Sequence, residues 1–242
     1  MYTPHSVFSD PNSSTLLLWR YIDFAKLVHL LSTKSLFFPS AVALHKLDPF
    51  EGSIPNRQTE YYDTQQRSKE LIKLTQERYR AESCVSCWHL NQTESIAMWK
   101  LYSSLGNGIA IQTTIPNFKN SFFDKSITVY AGQVIYIDYN VDYFYNGQSS
   151  PHITMNGFTP FIHKRSIYDH EREYRAIVSV RDNDKFYGKG IPVPVTLELI
   201  IQKMVVAPLT PDWTFDLIKS EVHSVLPNVA VEHSIFDEKP WI

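Results

Sequence analysis

The sequence predicts an α+β protein: a single domain over residues 1–242 with a mixed or mainly antiparallel sheet flanked by helices. Three observations lead there. Hydrophobic residues make up 43% of the 242 and aromatics 14%, enough to bury a sizeable core. Short apolar or alternating runs, the mark of strands, are interspersed with runs of helical period. Their order lacks the steady strand–helix alternation of a doubly wound sheet. No G-x-G-x-x-G or P-loop occurs either, which argues against a Rossmann cofactor site or a Walker-type NTPase.

Taken in order, "STLLLWRYID" (14–23) reads as the first strand. Asp23 is then suited to cap a helix whose apolar stripe is Phe24, Leu27, Val28, Leu30 and Leu31. "LFFPSA" (36–41) follows as a short strand, which brings Arg20 near Pro39 and Ser40 if the two strands are neighbours. Asp-Pro and Glu-Gly pairs mark 48–55 as a loop. Residues 59–82, rich in Gln, Glu, Lys and Arg, suggest one long exposed helix, a lid or an insertion. "SCVSCW" reads as a strand, and Asn91 with Glu94 as a capping box for a helix carrying Ile96, Trp99 and Tyr102. Further strands are expected at 108–114 and 132–139, a loop at 140–157, and a short helix over "FTPFIHKRSIYDH". "YDHEREYRAIVSV" (168–180) is expected to be a strand. "IPVPVTLELI" reads as an edge strand, because its prolines cannot donate to a ladder. "KMVVAP", a helix from Thr210 or Asp212 onward, and a final strand in "VAVEHSIF" complete the chain.

The charge balance, 23 Lys and Arg against 25 Asp and Glu, gives no global attraction to nucleic acid or to an anionic membrane. No apolar run approaches the ~20 residues needed to cross a bilayer. The N-terminus lacks the basic and apolar regions of a signal peptide, so a soluble cytoplasmic protein is the expectation. The two cysteines, Cys84 and Cys87, would need two more ligands to hold zinc and a helix start to act as a redox pair. No metal is expected.

Chemistry concentrates in a few residues. In a strand, alternation would send Glu171, Glu173 and Arg175 to one face, with the carboxylates about 7 Å apart. That face is either the wall of a cleft or an ordinary charged edge. Arg20, at the end of an apolar strand, needs an anionic partner: Asp48, Glu51 or the glutamates in one reading, a bound phosphate or carboxylate in the other. Trp88 is placed to stack on a flat ring, whereas Trp99 and Tyr102 read as core. Ser40 reads first as a turn former and Asp138 as a strand-end turn residue. No serine nucleophile elbow is present.

Several blocks carry a resemblance. "LLLWRYID", "LLSTKSLFFPSA", "DPFEG", "SCVSCWH", "MWKLYSSLGNGIAI", "HKRSIYDHEREYRAI" and "EHSIFDEKPW" resemble a widespread bacterial family of unknown function found in mobile or defence gene neighbourhoods. Arg20 on the first strand, a helix leading to "FFPSA" and a later E-x-E pair are also distantly similar to ADP-ribosyltransferases. That likeness implies a split sheet and NAD, or a related nucleotide, as substrate. By the same likeness Glu173 would be the catalytic carboxylate at the nicotinamide ribose, and Glu171 would orient or deprotonate the acceptor. Arg20 would hold the pyrophosphate or ribose, with Tyr21, Ser40, Trp88, Tyr102 and Arg175 completing the nucleotide site. Two departures stand out: there is no Ser-Thr-Ser, and the spacing to the glutamates is long. The implied activity is ADP-ribosyl transfer or NAD glycohydrolysis by a toxin or phage-defence effector, with a macromolecular acceptor or a cognate antitoxin as partner. The alternative is a non-catalytic ligand- or protein-binding module in a defence or mobile-element operon.

Overall fold

The computed structural model describes residues 1–12, 15–103, 106–144 and 156–240. Strand β1 (Leu17–Asp23) runs directly into helix α1 (Phe24–Thr33), where Asp23 Oδ1 accepts from Lys26 N at 2.8 Å as the sequence predicts. Strand β2 (Ser35–Pro39) is followed by a helix that the sequence reading missed, α2 (Ala41–Leu47). Ser40 is its cap, accepting from Val42 N at 3.2 Å.

The expected long helix over 59–82 is two helices, α3 (Asn56–Thr64) and α4 (Lys69–Glu82). Between them Gln66 takes a positive φ of 53°, a left-handed geometry that a continuous helix excludes. Leu71 and Leu74 are exposed on α4, so its polar composition did describe a solvated face. Strand β3 (Ser83–Asn91) and helix α5 (Ile96–Tyr102) come next. The cap of α5 is Ser95, not Asn91, because β3 extends through Asn91. Glu94 instead accepts from Trp99 Nε1 at 2.6 Å, Ser234 Oγ at 2.7 Å and Ile235 N at 2.6 Å.

Strand β4 (Gly108–Thr114) and helix α6 (Ile115–Asn120) follow. The single strand expected over 132–139 is divided into β5 (Tyr130–Gln133) and β6 (Ile135–Ile137), which join different sheets. Of the loop expected at 140–157, residues 145–155 lie outside the described residues. The expected helix over 158–170 is a single turn, α7 (Thr159–Ile162), then strand β7 (His163–Arg165) and a 3₁₀ helix (Ser166–Glu171). Strand β8 (Glu173–Ser179), edge strand β9 (Gly190–Pro194), α8 (Leu197–Ile200), β10 (Lys203–Val206), α9 (Asp212–Val225) and β11 (Ala230–His233) complete the order.

Seven strands form the main sheet in the order β11-β10-β4-β1-β3-β8-β5. It is antiparallel except for β10 and β11, so the class is α+β with a mixed sheet. One face, carrying Leu18, Ile22, Trp88, Leu90, Tyr174, Ile109 and Met204, packs under Leu27, Leu30 and Leu31 of α1 and Ile218 and Val222 of α9. On the opposite face, Trp19, Tyr21 and Ala110 pack against Met98 and Trp99 of α5, and Val85 and Ile177 against Ala41 and Phe161. Alternation along the strands explains both sets.

One irregularity matters for the site. Strand β1 pairs with β4 along all seven residues, Leu17 to Asp23. With β3 it pairs only at Leu17, Leu18 and Trp19. Beyond Trp19 the two central strands have no ladder between them, and the sheet is open at its middle.

Candidate functional site

A cavity of about 330 Å³ occupies that opening. Its banks are Trp19 to Ile22 of β1 and Val85, Cys87, Trp88 and His89 of β3, and its end wall is charged: Glu51, Lys164, Glu171, Glu173 and Arg175. Arg20, Tyr21, Trp88, Tyr102, Glu171, Glu173 and Arg175 all line it. Ser40 is not among the lining residues. It is fully buried, caps α2 and donates to Arg80 O at 3.2 Å, the turn-forming role that its position after Pro39 suggested. Asp138 likewise serves a turn, accepting from Asn140 N at 2.9 Å.

Arg20 spans the opening. Its guanidinium donates to Ser86 Oγ on β3 and to Phe37 O on β2, the latter at 3.3 Å, and lies 5.6 Å from the centre of the Trp88 ring. It forms no ion pair among the described residues, so none of Asp48, Glu51 and the glutamates is its partner. Enclosure lowers its pKa to about 10, still well above neutrality, so it carries its charge into the cavity uncompensated by any carboxylate in contact with it. A second groove of about 530 Å³, between α1 and β2, shares Arg20, Ile22, Lys26 and Pro39 with the first. Trp88 is more buried than a stacking platform would be. It packs edge-on to Phe118 at 5.1 Å and donates to Ser86 Oγ at 3.1 Å.

The charged wall is a closed network. Arg175, 1% exposed, grips Glu51 through both terminal nitrogens (2.6 and 2.9 Å). It also binds Glu173 Oε2 through Nε at 2.7 Å and Phe161 O at 2.7 Å. Arg175 is therefore committed to internal carboxylates. Lys164 Nζ bridges Glu171 Oε2 and Glu173 Oε1, the latter at 2.7 Å, and lies 4.4 Å from the Tyr168 ring centre. The Tyr102 hydroxyl donates to Glu171 Oε1 at 2.7 Å, and the Tyr136 hydroxyl accepts from Glu173 N at 2.8 Å. Tyr102 is thus half-exposed with its hydroxyl on Glu171, not a core residue.

Glu171 reaches this network by a route the sequence did not suggest. It ends the 3₁₀ helix and is not on the strand, because Arg172 adopts a left-handed φ of 42° and β8 begins only at Glu173. The turn nevertheless returns the Glu171 side chain to the face shared by Glu173 and Arg175. Neither glutamate is a solvated edge: they are 6% and 4% exposed.

The two carboxyl groups are held in different states. Burial pushes Glu171 up, and the adjacent Glu173 adds to the shift, so Glu171 is the readily protonated member. Burial also opposes ionisation of Glu173, but Arg175 and Lys164 outweigh it and hold Glu173 well below the usual carboxylate range. The pair titrates as a unit, and the first proton it takes up goes to Glu171. Tyr102 is pushed up by enclosure and then by Glu171, so it stays a donor.

His89 completes the wall. Its Nδ1 lies 2.7 Å from Glu171 O, and a carbonyl accepts only, so Nδ1 carries the proton. Burial lowers its pKa and keeps the ring neutral, and Nε2 is left as a buried acceptor with no partner among the described residues. Sequence reasoning missed Lys164 and Tyr136 as site residues and weighed Glu51 only as a salt-bridge partner of Arg20. The only sequence signal for Lys164 was a charge directly after the apolar Phe161 and Ile162, in "FIHKR".

Among the described residues, no cluster of His, Cys, Asp or Glu has the makings of a metal site. None of the described helices is long and apolar enough to cross a membrane. Compared with protein-family models, curated proteins and solved structures, the chain matches none.

Proposed function

We propose that the cavity between β1 and β3 cleaves the N-glycosidic bond of NAD or a related nucleotide, transferring ADP-ribose to water or to a macromolecular acceptor. The observation that carries this reading is that one cavity is lined both by an arginine with no carboxylate partner among the described residues and by a buried pair of inequivalent glutamates. The distant likeness to ADP-ribosyltransferases points the same way, as does the sheet opening beyond Trp19.

Each residue has a physical task. Arg20 offers fixed guanidinium donors to pyrophosphate oxygens. Departure of nicotinamide breaks the bond from C1′ to the ring nitrogen, and the electron pair leaves with nicotinamide. Positive charge then develops on the ribose, and Glu173, ionised at all working pH values, stabilises it inside a water-poor wall. The incoming oxygen or nitrogen forms the new bond to C1′ and passes its proton to Glu171, whose raised affinity suits a base. Tyr102 holds Glu171 in place. A toxin or defence effector acting in the cytoplasm, restrained by a cognate antitoxin, is the biological setting that the sequence resemblance suggests.

The test is nicotinamide release from NAD by the purified protein, followed chromatographically. Glu173→Gln and Arg20→Ala should each lower release at least ~100-fold, the scale expected when a group aimed at developing charge is removed. Undiminished turnover in folded Glu173→Gln protein would remove Glu173 from the mechanism. One observation favours a second reading, a binding module: both Glu173 oxygens are already occupied by Lys164 and Arg175. That reading gives nucleotide binding by calorimetry, lost in Arg20→Ala, with no release of nicotinamide by any variant.

A further inference from the structure

We propose that Lys164 is the positioning residue of this site: its ammonium, bridging the two carboxyl groups, gives Glu171 the cation that Arg175 gives Glu173 and so lets Glu171 work as a base. The task of base rests on the cleavage reading above, whereas the bridge rests on geometry alone.

Strand β7 has three residues, and each has a separate destination. His163 turns inward to Thr159 O at 2.8 Å, and Arg165 reaches Asp48 at 2.9 Å. Lys164 alone reaches the charged wall, in register with Tyr136 of β6, whose hydroxyl accepts from Glu173 N. Two neighbours in one short parallel pairing therefore fix the start of β8 and the carboxyl groups on either side of Arg172.

The charges around the pair are unevenly shared. Three carboxylates, Glu51, Glu171 and Glu173, face two cations, Lys164 and Arg175, which leaves room for one proton. Arg175 serves Glu51 and Glu173 and has no bond to Glu171. Among the described residues Lys164 is thus the only cation bonded to Glu171, whose other oxygen has the neutral Tyr102 hydroxyl. The remaining titratable neighbours on β3 add no charge, since burial keeps the Cys87 thiol and the His89 imidazole neutral. An ammonium suits this position better than a guanidinium. It is a compact charge with tetrahedral donors, able to contact two carboxyl groups and still lie over the Tyr168 ring.

The prediction concerns Glu171. Without Lys164 it loses its only cation, while Glu173 keeps Arg175, so the proton should be held on Glu171 to higher pH. As a base, Glu171 must lose that proton before turnover, so the acid limb of the pH–rate profile moves upward. In Lys164→Met the limb should shift by about one to two pH units, a roughly 10- to 100-fold loss of nicotinamide release below the limb. Lys164→Arg should restore it to within about half a unit. Carboxyl ¹³C NMR, with the Glu171 signal assigned by its loss in Glu171→Gln, should show the same shift without reference to turnover. A folded Lys164→Met protein in which neither the limb nor the Glu171 titration moves would overturn the proposal. If Lys164→Met does not fold, Lys164→Gln, which keeps donors but not the charge, takes its place, and an unmoved Glu171 titration in it would overturn the proposal. If the wild type releases no nicotinamide, the cleavage reading fails by itself, and the NMR comparison still decides whether Lys164 sets the pair.

Discussion

Replacing Arg175 with methionine tests the energetics of the charged wall most directly. The guanidinium makes five hydrogen bonds, two to Glu51, two to Glu173 and one to Phe161 O, at 2.6–3.2 Å. Methionine fills most of the space but supplies no donor. Glu173 would keep Lys164, whereas Glu51, 5% exposed, would lose both bonds to its carboxylate. Stranding a buried partner in this way costs about 3–5 kcal/mol, far more than the net worth of an intact buried pair. Urea unfolding followed by circular dichroism gives the loss from the midpoint at unchanged slope. In the cycle with Glu51→Gln, the double variant should be more stable than the two single losses imply, by roughly 1–3 kcal/mol, because the amide no longer leaves a charge unpaired. A loss under about 1 kcal/mol in Arg175→Met, or strict additivity in the cycle, would refute the view that these charges depend on one another.

Two further outcomes follow from burial. The His163 imidazole is 1% exposed, and burial lowers its pKa from 6.5 to about 4. Its contribution is full above the unfolded value and is lost as pH falls from about 6.5 through about 4, a total of about 3 kcal/mol. Urea midpoints measured across that range should fall steeply for the wild type and less for His163→Gln; equal slopes would contradict the assignment. Burial pushes the Cys84 thiol up to about 12, and burial together with Glu173 pushes Cys87 up as well. Mass spectrometry after iodoacetamide treatment of the folded protein at pH 8 should therefore show neither cysteine alkylated, with both modified once unfolded. Rapid modification of Cys87 in the folded state would contradict this.

How much of this was legible in sequence depends on how local the determinant is. The Asp23 cap, the Leu27, Leu30 and Leu31 stripe of α1 and the proline-bearing edge at β9 are set by residues within a few positions and appear as read. Val28, by contrast, is exposed, and Leu197–Ile200 is a helical turn, not a continuation of the strand. The glutamates were visible as a pattern, but their placement was not. Alternating charge suggested a strand through Glu171, and the left-handed Arg172 that ends the 3₁₀ turn has no signature in residue type. Lys164 was hidden for a related reason. A three-residue strand carries too little period to separate it from the helical runs on either side. Glu51 meets Arg175 across 124 positions, a distance over which only tertiary packing decides who pairs with whom. Trp88 shows the converse: its type suggested a platform, and core packing, with the Phe118 ring of α6 edge-on to it, buries it instead.

The opening of the sheet after Trp19 has one more consequence. In a continuous sheet, alternate peptide groups of a central strand are spent on each neighbour. Here Arg20–Asp23 are laddered on the β4 side only, and Val85–Trp88 are laddered on the β8 side only. The cavity therefore has banks of main chain as well as side chains. Whatever it admits can be read by peptide N–H and C=O groups, whose positions are set by the strands and not by residue type. Recognition of that kind survives drift in the lining side chains, and it weakens the expectation that proteins sharing this cavity must share its sequence motifs.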